Sequence, residues 1–288
     1  MASDPLPTEN RYSENRYIVP ALAQGLGILS LFGSDHRSFT APEIAKKLAL
    51  PRTKVFRLLQ TLQSMDYLRC EPDKRRFSLG PALLSRGFEY LASLDMVEVA
   101  QPILQRLRDR TGLSAHMAIR DGREIIYVSR FAARSTIASS VNIGTRFPVH
   151  ATIMGRMTIC EMSDRELAQL FRDQPLKRFT KQTPTTLKAL KALLAGDRAR
   201  GYAVSQAFFE AGVSAIAAPV RDGAGRIVAA INVTAVNAHI DERAMHGELK
   251  DAVLEAAAKI SCWLYDSAVA GSAGFAKPLP EAGKPVRG

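Results

Sequence analysis

The chain has 288 residues, of which 47% are hydrophobic, so it is long and apolar enough to form two domains, each with its own core. Its formal net charge of +11 favours a polyanionic partner, although many basic proteins bind no nucleic acid. No apolar run approaches the roughly 18–20 residues required to span a bilayer, which argues against a membrane protein.

The N-terminal segment and the cysteines indicate the compartment. Residues 1–16 are polar, mixed in charge and without the apolar core of a signal peptide, so we expect a disordered N-terminus on a cytoplasmic protein. Cys70, Cys160 and Cys262 are far apart in the sequence and have no Cys or His at metal-ligand spacing. We therefore expect reduced thiols, no disulfide framework and no metal site.

Two short amphipathic helices joined by a tight turn are predicted after a first helix over residues 19–32. Thr40 and Glu43 form a capping-box pattern at the start of the second helix, and Pro51 is acceptable at the start of the third. The apolar residues repeat at helical spacing: Val19, Leu22, Leu26 and Leu29 in the first helix, Ala41, Ile44, Ala45 and Leu48 in the second, and Val55, Leu58, Leu59 and Leu62 in the third. This arrangement predicts a helix-turn-helix.

A β-hairpin with a basic tip is predicted directly after the third helix. Residues 67–70 and 76–79 read as its strands, and residues 71–75 form the turn. Between residues 36 and 80 there are ten Lys and Arg against four Asp and Glu, a local excess of six positive charges. Together these features predict a winged helix-turn-helix domain over residues 17–80.

The third helix is the predicted DNA-reading element. If its apolar stripe is buried, the opposite side carries Thr53 and Arg57. In helix-turn-helix proteins this helix enters the major groove, where Arg binds guanine and Thr contacts the thymine methyl group, while other basic side chains bind phosphates. The predicted DNA-binding residues are Arg52, Thr53, Lys54 and Arg57 in the helix, and Lys74, Arg75 and Arg76 in the wing. The helix charges alone would suit a solvated surface; combined with the tight turn and the basic wing they favour double-stranded DNA.

A helix over residues 81–95 is predicted to link the two domains. Its apolar residues share one side outside the DNA-binding core: Leu83, Leu84, Phe88 and Leu91. Because such a stripe usually meets a partner, we expect a homodimer or tetramer.

Residues 96–266 predict an α+β domain built on an antiparallel sheet. Asp121-Gly122 and residues 222–225 each separate two strand-like segments and predict two hairpins. Helices are predicted before Gly112, after Thr152, and over residues 165–172, 187–200 and 241–265. Strand pairs separated by helices are typical of this fold class. Residues 267–288 read as a flexible tail.

One predicted strand carries polar residues within an apolar run. Asn232 and Thr234 share a face of this strand, because side chains alternate with period two. They suit a ligand pocket, and equally suit the satisfaction of neighbouring backbone groups. Backbone amides at the helix start over residues 152–155 are natural donors to a carboxylate.

Three longer segments carry a family resemblance: LPRTKVFRLLQTL, GTRFPVHATIMGR and RGYAVSQAFFEAGVSAIAAPVRDGAGRIVAAINV. On these the chain resembles the IclR family of bacterial regulators over residues 19–265, and FGSDHRSFT and INVT resemble its aromatic-acid catabolism branch. The resemblance implies a winged helix-turn-helix, a linker helix, and a GAF-like effector domain with a curved antiparallel sheet. It also implies dimers or tetramers on an operator and a small carboxylic acid, more aromatic than short and aliphatic, as effector.

The resemblance also implies the effector-binding positions: Phe147, Ile153, Met154, Ser205, Val213, Ala215, Asn232 and Thr234. Some family members have an acidic residue where Ser205 stands and a Cys where Ala215 stands. Their absence argues against a glyoxylate-like or pyruvate-like effector and leaves room for a larger one. His116 lies on the first hairpin strand, and we expect its side chain to face the pocket.

An enzyme and a constitutive regulator are the two alternatives to a ligand-responsive regulator. An enzyme acting on a small acid is disfavoured, because Ile216 replaces the second glycine of a GxSxG elbow and no GxGxxG, Walker or HExxH motif is present. We therefore predict no catalytic residues and no cofactor. A constitutive DNA-binding regulator without a ligand remains the main alternative.

Overall fold

The computed structural model describes residues 17–33, 36–71, 75–134, 141–172, 174–206, 209, 212–236 and 242–272. The predictions for residues 1–16, Lys74 and residues 273–288 lie outside these ranges. The chain divides between Ser93 and Leu94 into two compact units. No helix in the described ranges is both long enough and apolar enough to cross a membrane.

The N-terminal unit combines helices with a small antiparallel sheet. Its elements are α1 (Pro20–Leu29), β1 (Phe39–Thr40), α2 (Ala41–Leu48), α3 (Arg52–Ser64), β2 (Leu68–Glu71), β3 (Arg76–Leu79) and α4 (Ala82–Ala92). The strand order is β1-β3-β2, and all pairs are antiparallel. The core of the unit includes Ile28, Phe39, Ile44, Val55, Leu59, Leu68 and Phe77.

The predicted helix-turn-helix is confirmed at its turn. The Thr40 hydroxyl accepts a hydrogen bond from the Glu43 amide at 3.5 Å, and the Glu43 carboxylate accepts one from the Thr40 amide at 2.6 Å. α2 ends at Ala49, whose left-handed φ of 53° turns the chain sharply toward Pro51 and α3.

The first helix differs from the prediction in the side that it buries. Leu22 and Leu26, members of the predicted stripe, are exposed, whereas Gly25 and Ile28 face the core. A Cβ at Gly25 would lie 4.0 Å from Leu58, an ordinary contact distance, so this side of α1 packs against α3. The spacing of the stripe is helical, but periodicity alone does not distinguish a face that meets the core from one that meets solvent.

The C-terminal unit is an antiparallel sheet covered by helices. Its elements are α5 (Asp95–Thr111), β4 (Ser114–Asp121), β5 (Glu124–Phe131), β6 (Arg146–Pro148), α6 (Ile153–Ile159), α7 (Asp164–Leu170), α8 (Leu187–Arg200), β7 (Ala203–Gln206), β8 (Val213–Arg221), β9 (Ile227–Val236), α9 (Glu242–His246) and α10 (Glu248–Ser272). The strand order is β6-β5-β4-β9-β8-β7. The α+β class with a curved antiparallel sheet is confirmed, as are both hairpins and the end of α5 at Gly112.

The two faces of the sheet have different partners. Ala118, Ala217 and Ala230 lie on one face and pack in a single apolar cluster with the buried side of α6. Alternate residues, such as Ile216 and Ile231, lie on the other face, where α5 and α10 pack against the strands. The small side chains on this face let α6 pack closely over the sheet.

The C-terminal helical segment departs from the prediction twice. The predicted single helix over residues 241–265 is two helices that break at Gly247, where a Cβ would lie 2.8 Å from the Arg243 carbonyl oxygen. The helix α10 also continues to Ser272, whereas the flexible tail was predicted from residue 267. Alanines in this stretch have high helix propensity and extend a helix that is already anchored by packing.

Candidate functional site

The outer face of α3 presents the residues predicted to read DNA. Val55 and Leu59 are fully buried, which turns Arg52, Thr53 and Arg57 toward solvent. Lys54 is half-buried beside them. The helix has no side-chain cap at Pro51; the Lys54 amide donates to the Pro51 carbonyl at 3.0 Å, and the amides of Arg52 and Thr53 before it suit a phosphate.

Phe56 joins this face although the sequence analysis did not name it. Its side chain is 58% exposed on α3, one residue before Arg57. An exposed Phe at a major-groove surface can contact a thymine methyl group. The available signal was its position outside the buried stripe, since a large apolar residue there has no core to enter.

In the wing, Arg76 makes intramolecular contacts that the sequence analysis did not predict. Its Nε donates to the Ser38 hydroxyl at 2.9 Å, its Nη2 donates to the Ser38 carbonyl at 2.8 Å, and the guanidinium lies 3.6 Å from the Glu43 carboxylate. Arg76 therefore fastens β3 to the start of α2. Arg75, with φ of 47°, stays exposed at the tip, and Lys74 lies outside the described residues.

In the C-terminal unit, the sheet face toward α6 brings the predicted pocket residues together. Ser114, Thr234, Ala215 and Ser205 lie opposite one another in a row across β4, β9, β8 and β7. The next row contains His116, Asn232 and Ala217. Val213 lies on the same face, two residues before Ala215.

A buried hydrogen-bonded chain occupies the centre of this face. Asn232 Oδ1 lies 3.0 Å from His116 Nδ1, and Asn232 Nδ2 donates to the Thr234 hydroxyl at 2.9 Å. These hydrogen bonds join three side chains, and not the neighbouring backbone groups that the alternative interpretation proposed, while His116 Nε2 has no hydrogen-bond partner among the described residues. Burial, aided by the nearby positive charge of Arg130, lowers the pKa of His116 to about 4, so its ring is neutral at pH 7.

Aromatic rings form one wall beside His116. Its ring meets that of Tyr127 edge-on at 5.5 Å, and Tyr127 meets Phe147 at 5.7 Å. Phe147 in turn contacts Phe209 at 4.6 Å, and Phe209 contacts Phe179 at 4.8 Å. Such a wall suits a planar ligand ring.

The helix α6 supplies the opposite wall through Ile153 and Met154, which are both buried. The Thr152 hydroxyl accepts the amide of Gly155 at 3.1 Å, so this amide is not available to a ligand. A Cβ at Gly155 would lie 2.4 Å from the backbone of Val149, which means that only glycine allows this close turn.

A buried ion pair holds this wall in place. Arg156 on α6 lies 2.8 Å from Asp197 on α8 and donates to the Val204 carbonyl at 3.1 Å, directly before Ser205. Arg200, which is partly exposed, also reaches Asp197 at 2.7 Å. The sequence analysis did not identify this pair, because the two residues lie 41 positions apart on separate helices.

One positive charge near the pocket was also missed. Arg130 lies directly opposite His116 on β5 and is half-buried. The matched positions contain no Lys or Arg, so the sequence predicted a pocket without a cation. The guanidinium makes this region more favourable for an anionic ligand.

Family models match both units. The model "Bacterial transcriptional regulator IclR C-terminal" matches residues 88–262, and the model "IclR helix-turn-helix domain" matches residues 21–72. The chain is 31% identical over 225 residues to the HTH-type transcriptional regulator XynR of Escherichia coli, covering 78% of this chain and 89% of XynR. It is 34% identical over 215 residues to the Pca regulon regulatory protein of Pseudomonas putida, covering 74% and 73%.

Solved structures agree with these matches. A putative transcriptional regulator from Rhodococcus superposes with a TM-score of 0.77 at 32% identity and covers 87% of this chain and all of that one. An IclR homolog from Microbacterium hydrocarbonoxydans, solved in complex with 4-hydroxybenzoate, has a TM-score of 0.74 at 24% identity and covers 85% and 99%. At that identity the second structure shows the fold alone. The chain belongs to the IclR family of bacterial DNA-binding transcription regulators.

Proposed function

We propose that the protein is a cytoplasmic regulator that binds a specific double-stranded DNA operator and responds to a small aromatic carboxylic acid. The DNA half of the proposal depends on the exposed basic face of α3. The effector half depends on a buried polar chain set among aromatic and small apolar side chains.

In the DNA-bound protein, Arg52, Thr53 and Arg57 contact base edges, and Lys54 and Arg75 contact phosphates. Replacing Arg57 by Ala should weaken operator binding by about 1–3 kcal/mol and relax the base preference at one position. Arg106→Ala is the matched control, because it removes the same charge from an exposed site on α5. Gel-shift titrations at fixed salt measure both; equal affinities for wild type and Arg57→Ala would contradict the assignment.

The ligand ring lies between the aromatic wall and Met154, and Ser205, Asn232 and Thr234 contact its polar substituents. Arg130 attracts the carboxylate. The Microbacterium homolog, solved in complex with 4-hydroxybenzoate, is an example of this fold holding an aromatic acid. The small side chains at Ala215 and Ala217 present little bulk toward a ring bound over the sheet.

Ala215→Trp tests the position of the pocket, because the larger side chain fills the space above β8. Calorimetry with a panel of benzoates, pyruvate and glyoxylate should show benzoate binding by wild type and none by the variant, while operator binding persists. Tight binding of the short acids alone would overturn the aromatic class. Equal ligand binding by the variant would show that the pocket lies elsewhere.

We also propose that the protein forms a dimer or tetramer through its N-terminal unit. α4 has no buried residue, and Leu84 and Phe88 are more than half exposed. The stripe of Leu22 and Leu26 on α1 is exposed as well. Apolar surface of this kind favours association with a second copy.

A further inference from the structure

The buried ring of His116 has one nitrogen to which no described part of the chain makes a hydrogen bond. The side chain is 1% exposed, and Nε2 has no hydrogen-bond partner in the described part of the chain. Nδ1, in contrast, is engaged by Asn232. Buried polar atoms are almost always hydrogen-bonded, so an exception inside a pocket indicates a contact that a ligand completes.

The hydrogen-bond chain determines which kind of group Nε2 can receive. Asn232 donates to Thr234 through Nδ2, and this orientation turns Oδ1, which is only an acceptor, toward His116. Nδ1 must therefore carry the proton of the ring. Because burial keeps the pKa of His116 near 4, the neutral ring holds no second proton at pH 7, and Nε2 presents a lone pair.

The neighbours of the ring do not satisfy this acceptor. Tyr127 meets the ring edge-on, and Arg130 lies opposite it on β5. An ionised carboxylate has no proton to donate to Nε2, whereas a hydroxyl has one. The local chemistry therefore favours a hydroxyl group of the ligand at this point.

We propose that His116 is the specificity-determining residue of the pocket and that its Nε2 accepts a hydrogen bond from a hydroxyl group on the ligand ring. This rests on the proposed aromatic-acid function and narrows the ligand class to hydroxylated aromatic acids. An acid without the hydroxyl leaves Nε2 unpaired in a closed site, so its affinity is about 10- to 100-fold lower.

Calorimetry on the full chain tests the proposal with benzoate, 3-hydroxybenzoate and 4-hydroxybenzoate, in wild type and in His116→Phe. We expect one hydroxybenzoate to bind wild type about 10- to 100-fold more tightly than benzoate. The variant keeps an aromatic ring against Tyr127, and its ratio of hydroxybenzoate affinity to benzoate affinity should fall to about one, whatever happens to the benzoate affinity itself. Equal affinities in wild type, or a preference that survives in the variant, would overturn the role of His116. If no aromatic acid binds wild type but another acid does, the proposed ligand class itself has failed.

Nitrogen-15 NMR of histidine-labelled wild type gives a second readout that does not depend on the folding of the variant. The signal of His116 should show a protonated Nδ1 and an unprotonated Nε2, and Nε2 should shift on addition of the preferred hydroxybenzoate. A proton on Nε2 in the free protein would overturn the proposal, since the site would then suit a carboxylate.

Discussion

Removal of Asp197 should destabilise the C-terminal unit more than any loss of a surface ion pair. The side chains of Arg156 and Asp197 are 2% and 1% exposed, so neither charge is solvated. Breaking a buried pair from one side leaves an uncompensated charge and costs about 3–5 kcal/mol. We expect Asp197→Leu to reach this range, because the buried Arg156 would lose its carboxylate partner.

The reverse change should be milder, and the difference is a test of the geometry. In Arg156→Met, Asp197 keeps its contact with Arg200 at 2.7 Å, so we expect the free energy of unfolding to fall by about 2–3 kcal/mol. The double variant removes both buried charges. Its loss should be well below the sum of the single losses, with a coupling of about 1–3 kcal/mol.

Urea unfolding followed by tryptophan fluorescence measures these losses, because the chain has a single Trp and Trp263 lies in α10. With a slope of about 2 kcal/mol per molar urea, a 4 kcal/mol loss shifts the midpoint by about 2 M. Lys191→Ala is the control on the same helix; its exposed pair with Asp164 should contribute less than about 1 kcal/mol. If Asp197→Leu matches this control, or if the two single losses add, the ion pair does not act as described.

Three further predictions concern the other sites. Arg75→Ala should weaken binding to all DNA sequences alike, and it should lower the slope of log affinity against log salt concentration by about one, as measured by titrations at several salt concentrations. A change in base preference would contradict a phosphate contact. Phe88→Asp should reduce the mass found by light scattering at micromolar concentration, because the charge enters the exposed face of α4; an unchanged oligomer would place the interface elsewhere. The stability of wild type should fall as the pH drops from 6.5 to about 4, since the unfolded chain takes up a proton at His116 that the folded chain resists. Its contribution totals about 3 kcal/mol, and His116→Phe should flatten this part of the pH profile.

The fold was predictable where local signals are strong. The capping box at Thr40 and the left-handed turn at Gly112 each mark a helix end by chemistry that reads directly from the sequence. Two hairpins followed from turn residues in the same way. Gly247 was not recognised as a helix break, because an isolated glycine in an apolar helical pattern is compatible with a continuous helix. Likewise, the exposed stripe of α1 has the same spacing that a buried one would have.

The pocket shows why side-chain placement needs more than strand prediction. The hairpin pairs Asp121 with Glu124, and an uninterrupted register would set Ser129 opposite His116. The register instead shifts between Met117 and Ala118, so Arg130 takes that place. A single extra residue thus exchanges a neutral hydroxyl for a guanidinium beside the buried ring, and no glycine or proline in the strand signals it. Arg130→Gln removes this charge without altering the register, so calorimetry should show weaker binding of the aromatic acid by the variant; an unchanged affinity would show that the guanidinium does not act on the ligand.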